Sequence, residues 1–416
     1  MKATIFMLGK AAEHAALAQT VKKHLEANLR FTQVVLCDAA AADIKDCTGC
    51  WSCWWKTPGM CALNDGASAL YKEYITSDEV VLLFDTKQGF LDGVGKTFLD
   101  RLIQHYHPYI HIRDGQCTHV KRYDKYPNLH VYFPKEGLNE SEITGIKRYL
   151  ARMAYHFESA CDELVLEDDK VQYKVLENAP PQAELLATAV TERKPSGKWV
   201  IYNGSPRGSS SNSTVIIEKI CDGMKAKGAP TVEVRQLTDR KSHPQWVADF
   251  GSAENYLFVF PLYVHAMPGM VMKFFEQLKP QNNPQVHMAF LVQSGFPETS
   301  QSYYLRPYLE RLTERLGVSF DGTIIKGGVE GIRMKPEKAN QRFFHQMQQI
   351  GETYAQTGTM DFTLKREYEK EEYLPKVAQV LFSIFSRTGV TNFYWDTNLK
   401  KNGAYKKRFA RPYLEE

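Results

Sequence analysis

The sequence lacks the long apolar run of a membrane protein and the leader of a secreted one. No stretch approaches the roughly 18 apolar residues that cross a bilayer, and the apolar start, residues 1–8, is too short for a signal peptide and predicts a first strand. It also lacks an excess of charge, because 52 basic against 48 acidic residues leave a net charge of +4. Charge therefore gives no argument for nucleic-acid binding. We expect a cytoplasmic protein that binds neither membranes nor nucleic acids.

The chain of 416 residues is too long for one ordinary domain, and 43% hydrophobic residues suffice for more than one core. Predicted strands and helices alternate along two successive copies, separated by linker-like residues 178–183 and 191–197. This alternation predicts an α/β fold of two tandem doubly wound domains, each a five-stranded parallel sheet with helices on both faces. We expect domains over residues 1–190 and 198–358, then a helix and arm, 359–416, packed on the second domain. The predicted strands are residues 3–8, 32–37, 79–84, 128–133 and the extended segment 163–177, and then 199–203, 231–235, 256–261, 287–293 and 322–326.

A dense run of small polar residues lies between a strand and a helix of the second copy. It has the sequence GSPRGSSSNST over residues 204–214. A helix N-terminus offers free N–H groups and a favourable dipole to an anion, and the side chains here add further donors. The run is not the GxGxxG of dinucleotide folds, it lacks the lysine of a P-loop, and an ordinary helix cap needs only one such residue. It predicts a site for a terminal phosphate monoester, with Ser205, Arg207, Ser211, Asn212 and Ser213 as candidate residues.

Two further loops of the second copy are expected at the same edge of the sheet. PLYVHAMPG, residues 261–269, follows the third strand, and SGFPE, residues 294–298, follows the fourth. Loops that follow parallel strands meet at the carboxyl edge, so the three loops would form one pocket. Taken alone, His265 would be an ordinary surface histidine, but beside a phosphate site it can stack on a planar ring. The sequence predicts a pocket for a phosphorylated aromatic ligand, lined by Pro261, Tyr263, His265, Met267, Gly269, Ser294 and Gly295.

These three motifs, with Lys273 on the helix after the second loop, resemble the NADPH-dependent FMN reductase family of flavodoxin-like proteins. The resemblance covers most of residues 198–358. It implies FMN, with the phosphate on residues 205–214 and the ring between residues 261–269 and 294–298. It also implies that NADH or NADPH reduces the flavin, in which the chemistry resides. We single out no side chain as an essential acid or base.

The first copy is similar to the same family but lacks its phosphate loop. Residues 9–16 have the sequence GKAAEHAA, without hydroxyl groups and with the acidic Glu13, and residues 85–93 stand where a Pro-x-Tyr loop is expected. Residues 96–101 nevertheless keep the helix pattern of the family. A phosphate here would lie against a carboxylate and meet no side-chain donors. We therefore expect no FMN in the first copy.

The first copy carries a cysteine-rich loop instead. Three thiols at two-residue spacing with a fourth nearby can surround a cubane cluster, and the pattern resembles the iron–sulfur flavoproteins of the same superfamily, which implies a [4Fe–4S] cluster. The alternatives are structural or redox-active thiols and a zinc site, although zinc more often uses two separated pairs. Without a secretion signal, clustered thiols are more often metal-binding or catalytic than bridged. The candidate ligands are Cys47, Cys50, Cys53 and Cys61.

A second dense stretch, residues 105–127, holds four histidines among tyrosines. A metal site is one interpretation, but no acidic pair lies at helical ligand spacing. We favour a packed loop at an interface.

Together these features predict an FMN-dependent NAD(P)H oxidoreductase that passes electrons to a small acceptor such as a quinone, a nitro compound or a flavin. The alternative is a non-catalytic flavin or iron–sulfur module for electron transfer or redox sensing. The duplication predicts that the two copies pack face to face as an internal pseudo-dimer. Because both halves belong to one chain, each is present at a high effective concentration for the other. A homo-oligomer is compatible with the same sequence.

Overall fold

The computed structural model divides the chain into two compact units, Met1–Pro180 with Pro375–Glu416, and Pro181–Leu374. Both are mixed α/β with mainly parallel sheets. No helix in the described part of the chain is long and apolar enough to cross a membrane. Of the expected linker segments, residues 178–183 lie outside the described residues. The structure describes residues 1–9, 12–168, 170–177, 190–302, 304–360 and 374–414.

The first unit alternates strands and helices along the chain. The helices of this unit are α1 (Ala12–Glu26), α2 (Ser52–Trp55), α3 (Ala67–Ile75), α4 (Gly93–Arg101) and α5 (Glu140–His156). Helix α5 begins at a capping box, in which the side chains of Asn139 and Glu142 each accept the backbone N–H of the other residue. Its strands are β1 (Lys2–Met7), β2 (Gln33–Asp38), β3 (Glu79–Leu83), β4 (Thr86–Lys87), β5 (Phe90–Leu91), β6 (Tyr106–Arg113), β7 (Gln116–Lys121), β8 (Asn128–Tyr132), β9 (Cys161–Glu167) and β10 (Lys170–Val175).

The main sheet of the first unit has six strands in the order β10-β9-β8-β3-β1-β2. Strand β3 lies inside this sheet and is buried along its whole length, which its sequence EVVLL allows. Five strands pair in parallel, and β10 runs antiparallel to β9 at one edge. The prediction of a five-stranded parallel sheet is therefore wrong for this unit, because the sheet has a sixth, antiparallel strand. The extended segment 163–177 is a hairpin, because the chain reverses near Asp168, where φ is +49°.

The histidine-rich stretch forms a second hairpin, not a loop. Strands β6 and β7 pair antiparallel, and His105 at their base is buried. Its ring lies 5.6 Å from that of Tyr74, in a stacked arrangement. Burial lowers the pKa of His105 to about 3 and that of His119 to about 4. Both imidazoles are thus neutral parts of an aromatic core.

The second unit contains β11 (Trp199–Asn203), α6 (Asn212–Ala226), β12 (Val232–Gln236), α7 (His243–Ala248), β13 (Asn255–Pro261), α8 (Gly269–Phe275), β14 (His287–Gln293), α9 (Leu305–Leu316), β15 (Ser319–Lys326) and α10 (Glu337–Thr357). It has the predicted five parallel strands, in the order β12-β11-β13-β14-β15. On one face Ile201 packs in a core with α6 and α10. On the other face the ring of Tyr202 lies 5.1 Å from that of Phe274 in α8. Helices therefore cover both faces.

The tail contains helices α11 (Lys376–Thr388) and α12 (Phe393–Lys401). It packs on the first unit, so the expectation that it packs on the second domain is wrong. Tyr109 donates to Asp396 Oδ1 (2.7 Å), and Arg411 donates to Asp124 Oδ1 (2.6 Å). These partners are far apart in sequence, and no local pattern reveals them. Residues 361–373 lie outside the described residues.

Candidate functional site

The three predicted loops of the second unit meet at the carboxyl edge of its sheet. They follow β11, β13 and β14, which lie side by side in parallel. Backbone hydrogen bonds tie the strand ends together. The Gly204 N–H donates to Val259 O (2.8 Å), and the Leu262 N–H donates to Gln293 O (2.7 Å). The three loops therefore frame one site within this unit.

The loop after β11 is organised by Asn203. Its side-chain amide donates to Thr214 Oγ1 (2.9 Å), and its Oδ1 accepts the Ser205 N–H (2.9 Å). Gly204 admits no side chain, because a Cβ would lie 2.8 Å from Val271 Cγ2. The chain thus turns tightly from the strand into the helix.

Helix α6 starts with its donors turned to this loop. Ser211 is the N-cap, and its Oγ accepts the Thr214 N–H (3.1 Å). Asn212 and Ser213 follow in the first turn, where N–H groups have no acceptor within the helix. Ser213 is buried, and Arg207 of the same loop is half-buried. The helix start and the guanidinium together favour an anion.

The predicted phosphate residues are not equally placed to bind. The Asn212 amide donates to Val329 O (3.2 Å) and so supports a neighbouring turn. Ser205 Oγ accepts the Arg207 N–H (3.3 Å) and fixes the shape of the loop. Ser211 is engaged as the helix cap. The main-chain N–H groups of α6 and the Arg207 side chain are the stronger candidates for binding an anion.

The loop after β13 is a tight turn in a rare conformation. Tyr263 and Ala266 exchange two backbone hydrogen bonds (2.9 and 3.0 Å), and between them Val264 and His265 have φ of +40° and +59°. Residues other than glycine rarely adopt such angles, and β-branched ones least of all. His265 and Met267 are buried, and Tyr263 is half-buried. Strain of this kind persists where the surroundings fix it and is common at ligand sites.

The remaining predicted residues lie at or beside the ends of the same strands. Pro261 ends β13 and Gly269 begins α8, and both are buried. Ser294 follows β14, and its Oγ donates to Phe296 O (3.0 Å). Gly295 is exposed at the same edge.

A fourth segment of this site was missed by sequence reasoning. A Cβ on Gly295 would lie 3.3 Å from Glu330 Cβ, so Glu330 stands directly against the loop after β14. It belongs to the turn between β15 and α10, with the sequence GGVEG over residues 327–331. The only signal was its position, because a loop after a parallel strand falls at the carboxyl edge of the sheet.

The residues of the second unit fit FMN. The start of α6 and Arg207 match a phosphate, and the half-buried Tyr263 offers apolar surface to a planar ring. The predicted contact of Met267 with the ring is not supported, because this side chain is fully buried. The equivalent loop of the first unit does not fit. A Cβ on Gly9 would lie 2.3 Å from His14 Cε1 and 2.4 Å from Asp85 Cγ, so an imidazole and a carboxylate fill the space. The side chain of Glu13 and residues 10–11 lie outside the described residues.

In the cysteine-rich loop, Cys47 and Cys53 each lie within electrostatic reach of Cys50 and Cys61. Burial raises the pKa of Cys47 to about 12 and that of Cys53 well above its ordinary value. Cys50 is exposed. Partial burial opposes its ionisation, but hydrogen bonds with Ser52 and Thr48 outweigh this and lower the pKa of its thiol. No group of three His, Cys, Asp or Glu side chains in the described ranges is arranged to hold a metal ion. The arrangement gives no support to the predicted [4Fe–4S] or zinc site.

The tryptophans beside the cysteines pack with the tail. The ring of Trp395 lies 5.3 Å from that of Trp51, 5.2 Å from that of Trp54 and 6.0 Å from that of Trp55. Trp54 Nε1 also donates to Tyr106 O (3.1 Å). These aromatics form a local core around the loop.

No family model and no curated protein matches the chain. Among solved structures it is similar to the FMN-dependent NADH-azoreductase from Bacillus anthracis, at 14% identity and a TM-score of 0.30, over 38% of this chain and 100% of that one. It is also similar to the NAD(P)H:quinone oxidoreductase from Methanothermobacter marburgensis, at 17% identity and a TM-score of 0.29, over 38% of this chain and 96% of that one. An NADH:FMN oxidoreductase in its apo form is similar at 14% identity and a TM-score of 0.30, over 38% of this chain and 89% of that one.

Proposed function

We propose that the chain is an FMN-dependent NAD(P)H oxidoreductase whose flavin binds to the second unit. The observation that carries the proposal is the start of α6, where Ser211 caps the helix, Ser213 is buried and the half-buried Arg207 belongs to the loop that leads into the helix. This arrangement suits the terminal phosphate of FMN. We place no flavin on the first unit, because His14 and Asp85 fill the space beside Gly9 in the loop that corresponds to the phosphate loop.

Bound FMN would supply the redox chemistry, by accepting a hydride from a nicotinamide and passing electrons to a small acceptor. The residues of the chain bind and orient it. Arg207 and the N–H groups of α6 hold the phosphate, and the turn of Val264 and His265 fixes the edge of the ring site. Met267 is fully buried and supports this loop from the protein interior. A quinone, a nitro compound or a flavin would serve as the acceptor.

We further propose that the two units pair as an internal pseudo-dimer, with the first unit forming a wall of the flavin site. The support is the duplication of the α/β pattern within one chain. Chemical cross-linking of the intact chain, with cross-links mapped between residues 105–127 and residues 261–269, tests the arrangement. Cross-links confined within each unit would contradict it.

The flavin site is tested by FMN titration of the apoprotein. Arg207→Glu should weaken binding at least tenfold, because a charge-assisted contact becomes repulsive. Arg342→Glu is the matched control, since Arg342 is an exposed residue of α10 and its replacement changes the net charge equally. Equal affinity in both variants would contradict the proposed site.

A further inference from the structure

The turn over residues 327–333 joins two of the site's loops. The Val329 N–H donates to Ser294 O (2.9 Å), and Val329 O accepts the Asn212 amide (3.2 Å). Arg333 reaches across to the main-chain carbonyl of Ser210 in the phosphate loop. Val329 itself is fully buried in the core. The turn is thereby held in one position between the phosphate loop and the loop after β14.

Glu330 is the residue that this turn presents to the site. Its carboxyl lies against Gly295, where a Cβ would be 3.6 Å from its Oε2. From the phosphate loop, Arg207 acts on it electrostatically. Two further cations lie near this turn. Arg333 donates to Ser210 O, and Lys335 Nζ would be 3.5 Å from a Cβ on Gly331, the residue after Glu330. On the neighbouring loop Glu298 accepts from Gln301 Nε2 (3.3 Å).

The chemistry of this position depends on the charge of Glu330. An ionised carboxylate beside a phosphate site repels the incoming anion, whereas a neutral carboxyl group can donate its O–H to it. Burial raises the pKa of Glu330 to about 7, against the opposing effect of Arg207. The group thus changes protonation state near neutral pH at little cost, and a nearby anion pushes it towards the neutral form.

We propose that Glu330 is a further binding residue of the flavin site, which holds the nucleotide in its un-ionised form and donates its carboxyl O–H to an acceptor atom of the ligand. Binding above neutral pH then takes one proton from solvent, which adds to the Glu330 carboxylate. The proposal rests on the proposed function, because it takes FMN as the ligand.

The test is calorimetric titration of the apoprotein with FMN at about pH 8, in two buffers of different ionisation enthalpy. The phosphate of FMN is already a dianion at this pH, so proton uptake reports on the protein. We expect uptake approaching one proton per FMN, and a dissociation constant that rises up to about tenfold per pH unit above neutrality. Glu330→Gln keeps the size and a donor, and should abolish both the uptake and the pH dependence. Glu337→Gln, at an exposed position of α10, is the matched control and should behave like the wild type.

The outcomes separate this inference from the proposed function. If the wild type binds FMN with no proton uptake, or Glu330→Gln keeps the uptake, the role of Glu330 is overturned and the flavin site stands. If the wild type binds no FMN between about pH 6 and 8.5, the proposed function itself fails. Because uptake is measured first on the wild type, a misfolded variant would not leave the inference untested. Circular dichroism melting of Glu330→Gln and Glu330→Ala identifies such a variant.

Discussion

Cys61 and Tyr413 meet at a single side chain, Gln104. The Cys61 N–H donates to Gln104 Oε1 (3.0 Å), and the Tyr413 hydroxyl donates to the same oxygen (2.8 Å). Gln104 and Tyr413 are both buried. The end of the tail and the end of the cysteine-rich loop therefore share one acceptor, and the tail helps to hold the loop.

Removing the tyrosine hydroxyl should loosen the cysteine-rich loop. Tyr413→Phe keeps the ring but loses one buried hydrogen bond, which contributes about 1 kcal/mol to the free energy of unfolding. We expect a lower melting temperature and faster alkylation of Cys61, measured by mass spectrometry. Tyr405→Phe, at a half-buried tail position, is the control. An unchanged alkylation rate of Cys61 would show that the tail does not restrain the loop.

Cys50 should be more reactive than Cys47 and Cys53 of the cysteine-rich loop. Its pKa is lowered, whereas burial raises those of Cys47 and Cys53, so Cys50 carries the larger thiolate fraction near neutral pH. Limited iodoacetamide treatment with peptide mapping should label Cys50 before Cys47 and Cys53. Iron and acid-labile sulfide are measured on anaerobically prepared protein in parallel. A stoichiometric cluster would protect all four thiols and would contradict this expectation.

The chain should bind one FMN and not two. In the first unit, His14 Nε2 and Asp85 Oδ1 lie 3.4 Å apart beside Gly9, at the start of the loop that corresponds to the phosphate loop of the second unit. A carboxylate at this point repels the phosphate. Equilibrium dialysis at saturating FMN should give a ratio near one per chain. If His14→Ala also binds one FMN per chain, the first unit lacks phosphate donors as well as space for a phosphate. Two FMN per wild-type chain would refute the expectation that only the second unit binds flavin.

Much of the site could be predicted from sequence because its determinants are local. The residues around Ser211 follow a buried strand and open a helix, and that order alone predicts an anion site. Glu330 could not be found in this way, because its place is set by long-range bonds from Val329 to Ser294 and from Asn212 to Val329.

The position of the tail could not be predicted from local sequence either. Its helical pattern can be found in the sequence, but the unit on which it packs cannot, because contacts such as that of Tyr109 with Asp396 form only in the folded chain. The hairpin of β6 and β7 was predicted as a packed loop, because no local pattern shows how its histidines are placed. His105 and His107 are buried, whereas His111 and His119 are half-buried.

The proposed oxidoreductase requires that a nicotinamide nucleotide reduces FMN bound to the second unit. The most direct measurement is anaerobic stopped-flow of the FMN-loaded chain with NADH and with NADPH, followed through the visible flavin absorbance, with free FMN as the reference. We expect rapid bleaching by at least one nucleotide, far faster than free FMN, and recovery of the absorbance when a quinone is added. A loaded chain that bleaches no faster than free FMN with either nucleotide would contradict it.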